Sequence, residues 1–336
     1  MDKSLEESLL LNGRWSSAEG CLCASAPAVT VNFNAKAAEI AFDIEGEARF
    51  RFDVDGKPAK TFETNERKTV KISKLPALGD GEMHSFRLVK ISESNPGKIC
   101  IRDISLGKGG SFGPAPKPSK RRIEFIGDSF TVGYGVEALG PEDGTVFEKT
   151  NTSKAYSFLL SDGFRADFQV NAVSGRGLVR NYDGIVPDWN LGRLYDYTVA
   201  GSVESDANPE RWDLQRFHPQ VVVVFVGIND FQGNPPYAEV PAFKSAYTKL
   251  LDRLRAAHPG VKFLLVSTKT WPNDSLTPVV EEIFNEQKAA GHADLEYKLV
   301  YTENTALHGH PSEMSQKELA NTLRPIIGRL GGWLSR

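Results

Sequence analysis

The chain has 336 residues, of which 40% are hydrophobic and 25% charged, a balance typical of folded globular proteins. Its length exceeds the roughly 100–200 residues of one domain, so two domains are expected. A formal net charge of -3 argues against a polyanion-binding surface, and no run reaches the roughly 18 apolar residues of a membrane span. Neither nucleic acid nor a membrane is therefore expected as a partner, and nothing indicates the oligomeric state.

The N-terminal stretch MDKSLEESLLLNG lacks the basic-then-apolar order of a signal peptide. A secreted or periplasmic location is expected if a leader has been removed, and a cytoplasmic one otherwise. Further along, Cys21 and Cys23 are too close in sequence for an easy mutual disulfide, and with Cys100 the three cannot all pair within one chain. All three are expected to be small buried residues.

Residues 1–107 are predicted to form an N-terminal all-β domain. Between Gly13 and about Gly107, short segments alternate apolar and polar residues with the period of two that marks half-buried strands, and turn-forming residues interrupt them. The Asp55-Gly56 pair is a hairpin signal because it tolerates positive φ angles. These features predict a sandwich of antiparallel strands, with segments at 29–35, 38–46, 49–60, 68–75, 84–92 and 98–107.

A Pro- and Gly-rich stretch at 108–120, KGGSFGPAPKPSK, has no apolar period and is predicted to be an interdomain linker. Beyond it, residues 121–336 are predicted to form an α/β domain, because buried strands alternate with helical patterns. The strands are four continuous apolar runs, at 121–127, 164–173, 219–227 and 261–268. This order indicates a flavodoxin-like parallel sheet with helices on both faces, which would bind ligands beyond the carboxyl ends of its strands.

A serine and a glycine-rich loop follow the first two of these strands. The motif GDS at 127–129 places Ser129 at a strand-to-helix turn, where main-chain amides can face a developing oxyanion. A purely structural helix cap is the alternative. The motif SGRG at 174–177 lets main-chain amides, such as that of Gly175, approach a ligand closely. Phosphate binding is disfavoured there because the Lys of a P-loop and the spacing of a dinucleotide fingerprint are missing.

An amide and two histidines complete the candidate residues. The third strand ends in the motif GIND, in which Asn229 is either a second oxyanion donor or a simple turn former. Near the C-terminus, His308 and His310 precede a helical pattern and suggest a general base or part of a metal site. Metal is the weaker option, because no HExxH or carboxylate-rich motif completes a ligand set.

The four motifs GDSF, SGRG, GIND and HP occur in this order, each just past a strand or at the last helix. In this respect the chain resembles an SGNH hydrolase of the GDSL type. More closely, it resembles carbohydrate esterase family 2, on the segments RRIEFIGDSFTVGYGVE, SKAYSFLL, SGRGLVRNYDG, VVVVFVGINDF and GEMHSFRLVKISES. The resemblance extends from Gly13 to about Leu330. It implies a jelly-roll domain followed by an SGNH domain, and removal of acetyl groups from polysaccharide such as xylan or mannan without a metal or organic cofactor.

The resemblance also implies a role for each motif residue. Ser129 would be the nucleophile and His310 the general base, while the amides of Ser129 and Gly175 and the side chain of Asn229 would form the oxyanion hole. One position departs from the family pattern, because His308 stands where an aspartate commonly orients the catalytic histidine.

A neutral or protonated imidazole cannot replace that carboxylate as an acceptor that stabilises imidazolium. A main-chain carbonyl, or a more distant acid such as Glu303 or Glu313, is therefore expected to hold the catalytic histidine.

Exposed aromatic side chains can stack on sugar rings, and three are candidates for lining a substrate cleft: Trp271, Tyr134 and Tyr182. A packing corner at Trp271-Pro272 is the alternative for the first. Two other functions remain open at this stage. The chain could be a carbohydrate-binding protein with a degenerate hydrolase domain, as the residue at position 308 suggests, or an esterase for short acyl esters of lipids or small metabolites.

Overall fold

The computed structural model describes residues 3–333 and divides into two compact units. The first unit is the chain as far as Pro118 together with Tyr197–Arg211, and the second is Ser119–Asp196 with the chain from Trp212 onward. The outermost residues of the predicted domains, 1–2 and 334–336, lie outside the described residues. Within 3–333, no helix has both the length and the apolar character needed to cross a membrane.

The first unit consists almost entirely of antiparallel strands. Its elements are α1 Lys3–Glu6, β1 Leu9–Asn12, β2 Leu22–Ala24, β3 Thr30–Lys36, β4 Glu39–Glu45, β5 Ala48–Val54, β6 Lys57–Thr64, β7 Lys68–Ser73, β8 His84–Lys90, β9 Ile99–Leu106 and β10 Ser111–Phe112. One sheet has the order β1-β3-β8-β5-β6, with β10 also paired to β3, and the other has the order β2-β9-β4-β7. Phe42 and Phe52 come from different sheets, and their ring centroids lie 5.8 Å apart in the shared core. This packing confirms the predicted β-sandwich.

Two segments lie differently from the sequence-based expectation. Residues Ser111–Phe112, within the predicted linker, pair with β3. Residues Tyr197–Arg211, within the predicted α/β domain, belong to the first unit because they hydrogen-bond to its loops. The Gly201 amide donates to Ser25 Oγ at 2.9 Å, and the Gly97 amide donates to the Gly201 carbonyl at 2.7 Å. Such long-range contacts leave no signature in local sequence patterns.

The cysteines are buried as expected, but two of them are joined. Cys23 and Cys100 form a disulfide, while Cys21 is a free buried thiol. The two bonded residues are direct partners across the antiparallel pair β2 and β9. A sequence separation of 77 residues conceals this proximity, so the sequence alone could not indicate the bond.

The second unit is a parallel sheet with helices. Its strands are β11 Arg122–Gly127, β12 Asp167–Ala172, β13 Val221–Phe225, β14 Lys262–Ser267 and β15 Leu295–Leu299. Its helices are α2 Ser129–Val132, α3 Val146–Lys149, α4 Tyr156–Phe164, α5 Leu191–Leu194, α6 Ile228–Phe231, α7 Val240–Ala257, α8 Leu276–Ala289 and α9 Glu313–Leu330. The strand order β12-β11-β13-β14-β15 is the flavodoxin-like order, and every pair is parallel, as predicted.

The degree of burial of each strand explains why most strands of the parallel sheet are predicted from the sequence and β15 is not. All residues of the central strand β13, VVVVF, are fully buried, so the strand reads as one apolar run. The fifth strand, β15, lies at the sheet edge, and its sequence LEYKL mixes charged and apolar residues that are mostly half-buried. It therefore lacks the continuous apolar pattern by which the other four strands were predicted. The carboxyl ends of β12, β11 and β13 lie side by side at one edge of the sheet.

The β-sandwich contains a fully buried carboxylate, and its loss should destabilise the fold. Asp53 has no exposed surface and accepts ion pairs from Arg51 and Arg87, each at 2.7 Å. We expect Asp53→Ala to cost about 3–5 kcal/mol, because it removes the buried carboxylate that two mostly buried guanidinium groups share. Urea denaturation would measure this loss. Asp43→Ala, which breaks the exposed pair with Arg67, is the control and should cost far less. Equal effects of the two substitutions would contradict this account.

Candidate active site

Ser129 begins the short helix α2 directly after the first strand of the parallel sheet. The Asp128 side chain caps this helix by accepting from the Phe130 amide at 3.1 Å. A Cβ atom on Gly127 would lie 2.0 Å from Thr131 Oγ1, so only glycine allows the tight path from strand to helix. Because Ser129 is the first helical residue, its own amide has no acceptor within the helix and can serve a ligand.

His310 contacts the serine from the opposite end of the domain sequence. Its Nε2 lies 2.9 Å from Ser129 Oγ, and its Nδ1 lies 3.1 Å from the Leu307 main-chain carbonyl. A carbonyl oxygen can only accept, so Nδ1 carries the proton and Nε2 presents its lone pair to the serine hydroxyl. The pair therefore has the tautomer that a general base requires.

The group that orients His310 is thus the main-chain carbonyl of Leu307, and a main-chain carbonyl is one of the alternatives that the sequence leaves open. The Glu313 carboxylate instead binds Lys154 at 2.8 Å and Lys317 at 2.7 Å. Glu303 contributes its main-chain carbonyl, which accepts from the Ser315 hydroxyl at 2.8 Å. The Glu313 carboxylate is therefore engaged with two lysines, and the contact given for Glu303 is one of its main chain.

His308, at the position of the family's usual aspartate, is exposed and hydrogen-bonds to Tyr134. The distance from its Nδ1 to Tyr134 Oη is 2.8 Å. The Tyr134 ring in turn packs against the His310 ring, with centroids 4.3 Å apart and planes inclined by 32°. The His308 side chain is therefore linked to the His310 ring through Tyr134.

Two further groups stand beside the dyad at the same edge of the sheet. Gly175 follows β12 with φ of 75°, and a Cβ there would meet no atom within 4 Å, so the space beside its main chain is open. Asn229 follows β13 and is buried, and its Nδ2 donates to the Arg176 carbonyl at 3.1 Å. One amide hydrogen is thereby fixed, which orients the side chain. Both residues line a cavity of about 480 Å³ together with Ser129 and His310.

Asp230 is a residue whose importance the sequence did not reveal. Its buried carboxylate accepts from the amides of Leu178, Val179 and Arg180 at 2.7, 2.8 and 2.9 Å. Burial raises the pKa of Asp230 to about 6, while these three bonds oppose the shift. The carboxylate holds the loop that carries Gly175 in place. In the sequence, Asp230 is visible as an acid that follows Asn229 in the motif GIND, and a simple turn also explains such a pair.

Gln316 is a second residue that sequence reasoning missed. Its fully buried side chain donates from Nε2 to the Phe130 carbonyl and accepts at Oε1 from the Tyr156 amide, both at 2.9 Å. The first bond ties helix α9, which follows His310, to helix α2, which carries the serine, and the second ties α9 to the start of α4. A lone Gln in an amphipathic helix gives no indication of such a role.

The aromatic candidates divide into two groups. Tyr134 and Tyr182 line the cavity, and substrate contact by them stays a prediction. Trp271 is not among the described residues that line it, and its side chain is 77% exposed, so it is not a packing corner either. The reason is the path of the loop after β14. Its first residues, Thr268 and Lys269, reach the cavity, and Trp271 follows beyond them.

The arrangement contains the parts needed for acyl transfer. A hydroxyl is hydrogen-bonded to an unprotonated imidazole nitrogen, and that imidazole is oriented by a third group. A helix-start amide, a loop amide and an oriented side-chain amide line the same cavity. Such a site can activate a serine for attack on an ester carbonyl.

The acceptor of His310 depends on close packing at Gly135. A Cβ atom on this residue, which has φ of 59°, would lie 2.4 Å from Leu307 Cβ. We expect Gly135→Ala to displace Leu307 and its carbonyl, and so to lower kcat/KM for an activated acetate ester by about tenfold or more. The control is Gly140→Ala, because nothing lies within 4 Å of a Cβ there. If both variants retained wild-type rates while folded, Leu307 would not be the group that positions His310.

Comparison with known families agrees with this architecture. Residues 125–296 match the GDSL-like Lipase/Acylhydrolase family, and residues 12–116 match the Carbohydrate esterase 2 N-terminal family. The chain is 32% identical, over 74% of its length and 70% of the relative's, to an acetylxylan esterase / glucomannan deacetylase of Cellvibrio japonicus. It is 31% identical over 97% of its length to the cellulase/esterase CelE of Acetivibrio thermocellus, of which it spans 40%.

A solved structure is similar across both units. It is a family two carbohydrate esterase from Clostridium thermocellum in complex with cellohexaose, with a TM-score of 0.87 and 28% identity. The match covers 97% of this chain and 100% of that one. The chain therefore belongs to the GDSL-like lipase/acylhydrolase family and, within it, to carbohydrate esterase family 2.

Proposed function

We propose that this chain is a serine esterase that removes acetyl groups from O-acetylated polysaccharide or oligosaccharide of the xylan or mannan type. The observation that carries the proposal is the 2.9 Å contact between Ser129 Oγ and an imidazole nitrogen whose tautomer is set by a carbonyl. Membership of carbohydrate esterase family 2 supports the substrate class. The relatives named as acetylxylan esterase and glucomannan deacetylase support the acetyl group as the one removed.

The proposed reaction uses each of the assembled groups in turn. Ser129 attacks the acetyl carbonyl as His310 Nε2 takes its proton, and the oxyanion accepts hydrogen bonds from the amides of Ser129 and Gly175 and from Asn229. The imidazolium then protonates the departing sugar oxygen. Water, deprotonated by the same imidazole, releases acetate from the acetyl-enzyme. No step requires a group outside this set.

His310 is oriented by a carbonyl instead of a carboxylate, and this difference has an electrostatic consequence. A buried carboxylate would stabilise the imidazolium by its charge, whereas the Leu307 carbonyl offers a dipole. Burial lowers the pKa of His310 to about 4, with the Leu307 bond opposing and the His308 charge adding to the shift. His310 is therefore neutral at pH 7, as a base must be.

This pKa predicts an unusual pH profile. As the pH falls, His310 gains a proton and can no longer accept the proton of Ser129, so kcat/KM should fall. The midpoint of this fall in kcat/KM is expected at a pH of about 4, below the ordinary histidine pKa of 6.5. Rates measured on an activated acetate ester, with circular dichroism to verify folding at each pH, provide the test. A midpoint at 6.5 would show that burial does not control this histidine. His308→Ala should raise the midpoint, because His308 lowers the pKa of His310.

Three substitutions separate the dyad from its neighbour. Ser129→Ala and His310→Ala should each lower turnover at least about 1000-fold, because each removes a group that acts in the chemical step. His308→Ala should cost no more than about tenfold, or about 1.4 kcal/mol, since the His308 side chain hydrogen-bonds to Tyr134 and the substitution keeps the main chain. Thermal melts would confirm that the variants are folded. Equally severe losses for both histidines would refute a dyad oriented by the main chain.

The acyl group and the polymer can be tested together. Acetyl esters should be hydrolysed much faster than butyryl esters, because a pocket matched to acetyl disfavours added methylenes by about tenfold or more each. Acetylated xylan or mannan should release acetate, with Ser129→Ala as the matched blank. A preference for octanoyl esters, with no acetate from either polymer, would favour an esterase for lipids and would contradict the proposal.

A further inference from the structure

A cluster of potential metal ligands lies in the first unit and plays no part in the proposed reaction. It consists of Cys21, Cys23, Cys100 and Glu19, whose ligand atoms all lie within 4.8 Å of one another. The three sulfur-bearing residues are 1%, 2% and 4% exposed, and Glu19 closes the cluster from the solvent side. We call these four residues the cysteine cluster. Cys21 Sγ lies 3.5 Å from Cys23 Sγ, beside the Cys23–Cys100 bond.

The main chain holds these residues together independently of the disulfide. Cys23 and Cys100 are register partners in the pair β2 and β9. Cys23 also exchanges two main-chain hydrogen bonds with Ser16, at 2.9 and 2.8 Å. A turn in which the Gly20 amide donates to the Ser17 carbonyl precedes Cys21 and contains Glu19. Because ladders and a turn set these positions, cleavage of the disulfide would leave three thiols side by side.

The two cations near the cysteine cluster are paired with carboxylates. Lys98 forms an ion pair with Glu19, and Arg102 forms one with Glu45. The three sulfur atoms are buried, and all the ligand atoms of the cluster lie close together. Three buried thiols at this spacing match the needs of a thiophilic divalent metal, which binds thiolate and releases the thiol protons.

We propose that reduction of the Cys23–Cys100 bond converts the cysteine cluster into a tetrahedral site for Zn²⁺, with three thiolates and the Glu19 carboxylate as ligands. A dithiol would supply the two electrons and two protons that cleave the S–S bond, and would itself be oxidised to a disulfide. Zn²⁺ then displaces the thiol protons to solvent. Closed sites built from three cysteines and one further ligand are the type that stabilises folds.

Attack of Cys21 on Cys23, which would exchange the disulfide and release Cys100, is less favoured by the structure. The attacking group must be the Cys21 thiolate, and Cys21 is almost fully buried in the oxidised chain. The product would also join two cysteines separated by one residue. The metal site requires no such rearrangement of the strand.

The test uses the full chain in oxidised and reduced forms, with Co²⁺ as the spectroscopic probe. Thiol counting should find Cys21 alone before reduction and all three cysteines after it. Anaerobic titration of the reduced chain should give one equivalent of bound Co²⁺, with the intense visible bands of tetrahedral thiolate coordination and sulfur-to-metal charge transfer. Zn²⁺ should displace it, and the oxidised chain should show no such bands.

Variants identify the ligands. Cys21→Ser should weaken Co²⁺ binding by more than about 100-fold, which exceeds the loss expected for a residue that only hydrogen-bonds to a metal ligand. Cys21→Ala should have the same effect, and it replaces Cys21→Ser if that variant folds poorly. Glu19→Gln should change the visible bands, because it replaces the carboxylate ligand. Ser17→Ala, exposed in the same turn, is the matched control and should bind as the unaltered chain does. Absence of thiolate bands in the reduced, folded chain, or Co²⁺ binding by the Cys21 variants as tight as by the unaltered chain, would overturn the proposal.

Discussion

The hydrogen bond from His310 Nδ1 to the Leu307 carbonyl is the interaction on which the candidate site depends. It sets the tautomer, and the tautomer decides whether Nε2 can accept from Ser129. The carbonyl is itself held by packing, because Leu307 rests against Gly135, where no Cβ fits. Gln316 adds a second link by binding the main chain of the helix that carries the serine. A dyad of residues 181 positions apart is thus maintained by backbone contacts rather than by a third acid.

The parallel sheet supplies the remaining geometry. Three adjacent strands end at one edge, and each end carries one element of the site: the serine after β11, Gly175 after β12 and Asn229 after β13. The loop after β12 is held in part by Asp230, which accepts from three consecutive amides at a buried position. The Gly175 amide, a proposed oxyanion donor, is therefore positioned with the help of a carboxylate that is not part of the cavity lining.

Much of this was readable from the sequence. The period-two segments of the first unit and the apolar runs of the second arise from burial on one face or on both, so they predicted the two architectures. The order of the four motifs, together with the positions of the strand ends, predicts that Ser129, Gly175, Asn229 and His310 lie at one site. The replacement of the usual aspartate by His308 was also visible, and it pointed correctly to a main-chain carbonyl as one possible partner of the base.

Other features were decided only by the tertiary structure, because they depend on residues that are distant in sequence. The Cys23–Cys100 bond, the association of Tyr197–Arg211 with the first unit, and the anchoring by Gln316 each join segments that carry no matching local pattern. Trp271 was expected near the substrate, but the path of its loop leaves it exposed outside the cavity lining. Local periodicity reports which face of an element is buried. It does not report which distant group meets that face, and this choice determined the partner of His310, the support of Gly175 and the grouping of the cysteines.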